Sequence, residues 1–563
     1  MLKSIWKTVS GSALILAGLT ACGGGGSTSA SSAPQLLATS TATSCTTPAF
    51  GVTAASGYLT VSSGAGLVFK VNQSSGDITS ITYNCGPELQ AQDKFSQISS
   101  GLGAAASYSV NGTVAKITIP TSTLTHYMLV RQNDNAIYMG TYISAEPTVG
   151  ELRWVTRLAK SVFTGVPAES NLTGNTGAIE STDIYGMADG TTRSKYYGNQ
   201  AAKDLAIRGV TGSGIGVFMA YGNRESSSGG PFFHDIQNQT GFPETNNPGG
   251  DVHVYNYMNS GHNQTEAFRT GFHGPYALVF NDGSTTPAVP DMSWMSTQGL
   301  QGWVDATGRG GASGAGLTGM DASYSYTVGF ANSAAQYWAT ATSSGAFSLS
   351  DMKAGTYTMT VYKGQLAVYT EQVTVTAGST TSLPSRAINN DPSATTALWR
   401  IGDWDGTPLE FMNGTSINVM HPSDVRNAAW GPVSYSVGSA FTTFPAAQWK
   451  TGVNNPTTVT FNLTAAQIAA HTIRIGITAA YASGRPQIQV NSWSSSNPAA
   501  STQPSSRSLT IGTYRGNNTT FTFPVPSTAF VVGTNTLTIN AISGSSGTAF
   551  LSPGFSYDAL DML

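Results

Sequence analysis

Charge is scarce in this chain. Asp, Glu, Lys and Arg make up 10% of its 563 residues, against roughly a quarter of an average soluble domain. The 26 basic and 29 acidic residues leave a net charge of -3, which gives no reason to expect nucleic acid or an anionic membrane surface as partner. Helical periodicity is missing beyond the first residues, which argues against a helical bundle. Cysteine is rare, with three in all. Glycine, at 64 residues, and aromatics, at 10%, fill the gap together with Ser, Thr and Asn. That mixture suits short strands joined by polar turns, with the weakly charged, aromatic surface common among carbohydrate-handling proteins.

The first residues carry an address. Lys3 and Lys7 precede the apolar run Ala13 to Leu19, which is too short for a bilayer that takes about 20 residues to span. Leu19-Thr20-Ala21-Cys22 resembles a bacterial lipobox, so residues 1–21 read as a lipoprotein signal and Cys22 as the lipidated mature N-terminus, with an ordinary secretory signal as the alternative. Residues 22–44, opening on Gly23-Gly24-Gly25-Gly26, read as a flexible tether. The expected location is outside the cytoplasm, lipid-anchored at the outer membrane or cell surface, or released. The two remaining cysteines, Cys45 and Cys85, are expected to form a disulfide in an oxidising compartment.

Alternation of period two recurs along the rest. Ala115, Ile117 and Ile119 share one strand face, and Val459, Phe461 and Leu463 another; so do Ile473, Ile475 and Ile477, and Leu537, Ile539 and Ala541. Leu67 to Val71 and Asp77 to Tyr83 flank Gln73-Ser74-Ser75-Gly76 as a hairpin. The chain is therefore expected to be all-β, with antiparallel sheets wet on one face. At 563 residues it exceeds a single core. Changes of texture divide it into a long segment at 45–297 with most of the His, Tyr and Arg that could do chemistry, a small sandwich of fibronectin or transthyretin type at 298–386 and a stretch at 387–563 long enough for a jelly roll.

In a chain so poor in charge, clustered ionisable residues stand out. Gly150-Glu151-Leu152-Arg153-Trp154 and Arg157 lie in a strand-like run, and Thr192-Arg193-Ser194-Lys195-Tyr196-Tyr197 follows a turn. Gly229-Gly230-Pro231-Phe232-Phe233, Tyr255-Asn256-Tyr257-Met258-Asn259-Ser260-Gly261-His262 and His273-Gly274-Pro275-Tyr276 come next. Tyr255 and Tyr257 share a strand face, either as a platform for sugar rings or as core aromatics. His262 alone could be a turn histidine, and Lys195 alone a solvated lysine. His253, His262 and His273 lack the short spacing of zinc ligands, so no metal is assigned.

Taken in order, these motifs resemble the rhamnogalacturonan lyases of polysaccharide lyase family 4. Leu398-Trp399-Arg400-Ile401-Gly402-Asp403-Trp404-Asp405-Gly406-Thr407-Pro408 and His421-Pro422-Ser423-Asp424 resemble the opening of that family's third domain. The likeness covers nearly everything after residue 45. It implies a catalytic sandwich, a fibronectin type III-like domain and a carbohydrate-binding-module-like jelly roll. It also implies β-elimination at the rhamnose–galacturonate α-1,4 bond of rhamnogalacturonan I, leaving an unsaturated galacturonate. The family's catalytic lysine and histidine fall on Lys195 and His262, its substrate-contacting arginine on Arg153, and its two tyrosines on Tyr255 and Tyr257. No cofactor is implied for the chemistry. A structural calcium is admitted, but no dense Asp/Asn loop places it. A monomer is expected.

The residue types suit that reaction. A C5 proton beside a carboxylate is barely acidic, so a cation must meet the carboxylate as charge develops; Arg153 can do so through parallel hydrogen bonds. Lys195 as base needs its pKa lowered from about 10.4 by burial or by positive neighbours such as Arg153 and Arg193. His262 can protonate the leaving oxygen, and the two roles could be exchanged. Two rivals remain open. A glycoside hydrolase would use a carboxylate pair drawn from Glu151, Asp235 and Asp251. A surface lipoprotein that only binds polysaccharide would need no catalysis at all.

Overall fold

The computed structural model describes residues 46–563 except 99–100, 147–150, 166–171, 173, 181–183, 195–205, 233–250, 260–267, 418–419, 432, 452, 501–517 and 544–553. Residues 46–563 belong to one compact unit. Strands dominate, with short 3-10 turns between them. The fold is all-β, and the alternation is its cause. Ala115, Ile117 and Ile119 are each 1% exposed, and Ile473, Ile475 and Ile477 are fully buried. The hairpin Leu67–Asn72 to Ile78–Tyr83 forms antiparallel, as its turn residues require.

Three strand systems follow one another along the chain, and among the described residues the strands of each pair only with one another. In the first, an eight-stranded sheet runs from Phe163–Gly165 at one edge to Ser107–Asn111 at the other. A four-stranded sheet and the three strands Asp251–Asn259, Leu152–Ala159 and Gln97–Ile98 close over it around one core. A separate three-stranded sheet, Asn175–Glu180, Ile184–Met187 and Thr192–Ser194, belongs to the same system. The second system begins at Arg309 and ends at Ala387. Trp303, six residues before it, packs on Phe272 of the first, ring centroids 5.4 Å apart. The third is a sandwich of two five-stranded sheets between Trp399 and Met562.

The systems are joined by buried polar and aromatic contacts. Trp404, 1% exposed, sits in the second system's core although it belongs to the third; its indole N–H donates to Asp561 at 3.0 Å. Between the first and second, Glu225 is 6% exposed. It accepts two bonds from Arg309 (2.8 and 2.9 Å), one from the Tyr337 hydroxyl at 2.5 Å, and lies 3.1 Å from the Lys353 ammonium. Burial would raise this carboxyl, but Arg309 and Lys353 outweigh it and hold the pKa down to about 2.

Removing one partner of a buried ion network leaves the others uncompensated. Glu225→Ala, which strands Arg309 and Lys353, should lower unfolding stability by about 3–5 kcal/mol in denaturant titration. Because folding depresses this carboxyl, its contribution is complete above the unfolded value of 4.5 and fades as pH falls toward about 2. The variant's deficit should shrink across that window. A constant deficit, or one under about 1 kcal/mol, the range of an exposed pair, would contradict the assignment.

Candidate active site

The site grows from one pair of strands. Leu152–Ala159 runs antiparallel to Asp251–Asn259, with Arg153 opposite Tyr257, Val155 opposite Tyr255, Arg157 opposite His253 and Ala159 opposite Asp251. Period two sends Leu152, Trp154, Leu158, Val252, Val254 and Met258 into the main core. The other face therefore carries Arg153, Arg157, Asp251, His253, Tyr255 and Tyr257 together. Over it lies the small sheet, whose Ile179 and Ile184 pack with Val155, Tyr255 and Tyr257.

Arg153 is the centre. Its side chain is 21% exposed, and its Nε stands 2.7 Å from Glu151 without being aimed at that oxygen as a hydrogen bond. One terminal nitrogen donates to the Tyr257 hydroxyl. The guanidinium carbon lies 5.3 Å from the Tyr257 ring and 5.9 Å from the Tyr255 ring, within cation–π range. Burial alone would lower its pKa, but Tyr257, Tyr255 and Glu151 raise it above the ordinary arginine value. It is a cation at any working pH.

Tyr255 and Tyr257 have ring centroids 5.2 Å apart and are 4% and 7% exposed, so they are both packed core rings and walls for the arginine. Along the same strand face runs a polar chain. Asp251 Oδ2 lies 2.5 Å from His253 Nε2, and His253 Nδ1 lies 2.7 Å from the Tyr255 hydroxyl. A carboxylate only accepts, so the Nε2 carries the proton and Nδ1 accepts from tyrosine. Burial holds the imidazole's pKa below its ordinary value against the pull of Asp251, which keeps it neutral and the tautomer fixed. Arg157 donates to the Phe95 carbonyl at 2.5 Å, and burial lowers its pKa.

The structure thus brings Arg153, Tyr255 and Tyr257 into one cluster. Lys195, His262, Asp235, Cys22 and Cys45 lie outside the described residues. The strands leading to the two catalytic candidates end at this cluster. Ser194, just before Lys195, pairs with Ile184, and Asn259, three residues before His262, pairs with Leu152. Glu151 and Asp251, candidates for a hydrolase pair, are engaged by Arg153 and His253. The Asp251–His253–Tyr255 chain went unread in the sequence. Its signal is the spacing Asp-x-His-x-Tyr-x-Tyr, which puts all four side chains on one strand face. Among the described residues no three His, Cys, Asp or Glu side chains gather as metal ligands, so no step is derived through calcium.

Comparison with known proteins places the chain. Residues 50–302 match the family model described as rhamnogalacturonan lyase B, N-terminal. Residues 306–383 and 397–562 match those described as polysaccharide lyase family 4, domain II and domain III. The chain belongs to polysaccharide lyase family 4 and is a polysaccharide lyase. Among its relatives is the probable rhamnogalacturonate lyase A of Aspergillus terreus, 44% identical over 90% of this chain and 94% of its own length. Rhamnogalacturonate lyase A of Aspergillus aculeatus is 43% identical over 91% and 96%, and that of Emericella nidulans 42% over 91% and 96%.

If Asp251 and His253 orient Tyr255 beside Arg153, His253→Phe should strand Asp251 and release the tyrosine hydroxyl. Lyase activity is expected to fall at least tenfold, while His253→Gln, which keeps an amide donor and acceptor, recovers part of it. Equal activity in His253→Phe and the parent would show that the chain has no role.

Proposed function

We propose that this enzyme cleaves the rhamnose–galacturonate α-1,4 bond of the rhamnogalacturonan I backbone by β-elimination. The observation that carries the reading is the permanently cationic Arg153, walled by Tyr255 and Tyr257 where the strands toward Lys195 and His262 end. The names of the relatives, rhamnogalacturonate lyases over more than nine-tenths of their length, agree with it.

A guanidinium has five N–H groups. Glu151 faces the Nε edge and Tyr257 takes one terminal hydrogen, so the terminal fork keeps donors for the galacturonate carboxylate. Lys195 removes the C5 proton, the electron pair forms the C4–C5 double bond, and the C4–O bond breaks. His262 gives its proton to the departing rhamnose oxygen. Arg153 neutralises the carboxylate while the carbanion develops, which is where a fixed cation lowers the barrier most. Tyr255 and Tyr257 orient the arginine and the sugar. The reaction as written needs no cofactor.

The same reading extends to the rest of the chain. Cys22 is the lipid attachment site, so the monomeric enzyme stands off an outer membrane or cell surface on the tether 22–44, or is released from it. Cys45 and Cys85 form a disulfide at the start of the first sheet system.

The test is absorbance. Purified protein should yield ultraviolet-absorbing unsaturated uronate from rhamnogalacturonan and far less from homogalacturonan. A proton transfer contributes about 10²- to 10⁴-fold, so Lys195→Ala and His262→Ala should each lose at least that much with the fold intact. Near-normal turnover by Lys195→Ala would remove it as base. Cleavage without absorbance would favour the hydrolase, and binding without cleavage the non-catalytic surface lipoprotein.

A further inference from the structure

The third strand system reaches into the first through its loop 421–426. That loop grips the strand Thr192–Ser194 of the small sheet. Asp424, 2% exposed, accepts from Thr192 twice through one oxygen, at 2.7 Å from the backbone nitrogen and 2.9 Å from the hydroxyl. The same hydroxyl accepts from the His421 backbone nitrogen at 2.9 Å. His421 Nε2 lies 3.1 Å from Glu180 on the sheet's first strand. Ser423 donates its backbone N–H to His421 Nδ1 at 3.1 Å, so Nε2 carries the proton toward Glu180. In the hairpin turn, the Gly190 carbonyl accepts from Val425 at 3.1 Å. Gly190 has φ +82°, and an added Cβ there would come within 3.3 Å of Val425.

The grip is stiff on its own side. Asp424 caps the 3-10 turn Val425–Trp430 by accepting from Arg426. The Arg426 side chain holds both carboxylate oxygens at 2.8 and 2.6 Å. Trp430, fully buried, stacks on Trp449 with centroids 5.2 Å apart. Asp424 is kept below the usual carboxylate range against its burial by Arg426 and Thr192. It is therefore a fixed anion, and charge-assisted bonds of this kind are the strong ones.

We propose that Asp424 and His421 are positioning residues for the elimination. They fix the small sheet that lays Ile184 on Tyr255 and Tyr257 and whose last strand is followed directly by Lys195. The third system is then part of the catalytic apparatus, whatever its affinity for polysaccharide. This inference rests on the elimination reading above. Thr192 is the adjustable point, because its hydroxyl both donates to Asp424 and accepts from His421.

The experiment uses the full chain on rhamnogalacturonan and compares Thr192→Val, which keeps shape and loses both hydroxyl bonds, with Thr192→Ser, which keeps them. Thr192→Val should lower kcat at least tenfold with KM changed less than twofold, and shift the pH profile of kcat. Thr192→Ser should restore both to within about threefold of the parent. Asp424→Asn should behave like Thr192→Val. A parental kcat and pH profile in Thr192→Val overturns the proposal. So does a lower kcat with an unshifted profile and a matching loss of folded protein, which marks a purely structural tie. Absence of unsaturated product from the parent enzyme overturns the elimination reading itself, and the proposal with it.

Discussion

A guanidinium drawn four-fifths out of water must be partnered from its own protein, and the site is built around that requirement. Arg153 meets it with a carboxylate beside it, a phenol on one terminal nitrogen and two ring faces against its plane. The phenol and both rings come from the strand it pairs with, and the carboxylate from Glu151 just before its own strand, so the register of two strands sets the geometry. A slip of one residue would send the arginine into the core and the leucines to the face that carries the chemistry. Trp154, fully buried on the opposite face, is what makes such a slip costly. Packing on one side of the strand therefore guarantees electrostatics on the other.

Further constraints press on the same face. Along the strand, the neutral His253 and its carboxylate hold Tyr255 by its hydroxyl. From above, the small sheet covers the tyrosines and is tied at Thr192 to the third strand system. The second system is fastened to the first through Glu225, whose segment is itself bonded to the strand Asp251–Asn259 by the Ser228 N–H on the Met258 carbonyl at 2.9 Å. Preorganisation of this kind removes reorganisation from the reaction step, which is where fixed charges help most.

Much of this was legible in the residues. Alternation at Ala115, Ile117 and Ile119, or Ile473, Ile475 and Ile477, announces strands because one wet face forces it. The same rule places Tyr255 and Tyr257 together. The same spacing, Asp-x-His-x-Tyr, sets Asp251 and His253 beside them on that strand face. The assignment of Lys195 and His262 came from motif resemblance, since a lone lysine and a lone histidine carry no chemical signature. The tie from Asp424 to Thr192 spans 232 positions, and no local pattern encodes a partner that distant. Trp404 likewise reads as an aromatic of its own segment until it is found in a neighbour's core.

In the proposed elimination Arg153 neutralises the galacturonate carboxylate during proton removal. Methyl esterification of that carboxylate removes its charge and acidifies the C5 proton, so it should make the cation dispensable. The direct measurement is kcat/KM of the parent and of Arg153→Ala on free-acid and methyl-esterified rhamnogalacturonan oligosaccharides. The variant should lose about 10²-fold or more on the free acid, the scale of removing one preorganised charge contact, and much less on the ester. Equal losses on both substrates would contradict that role.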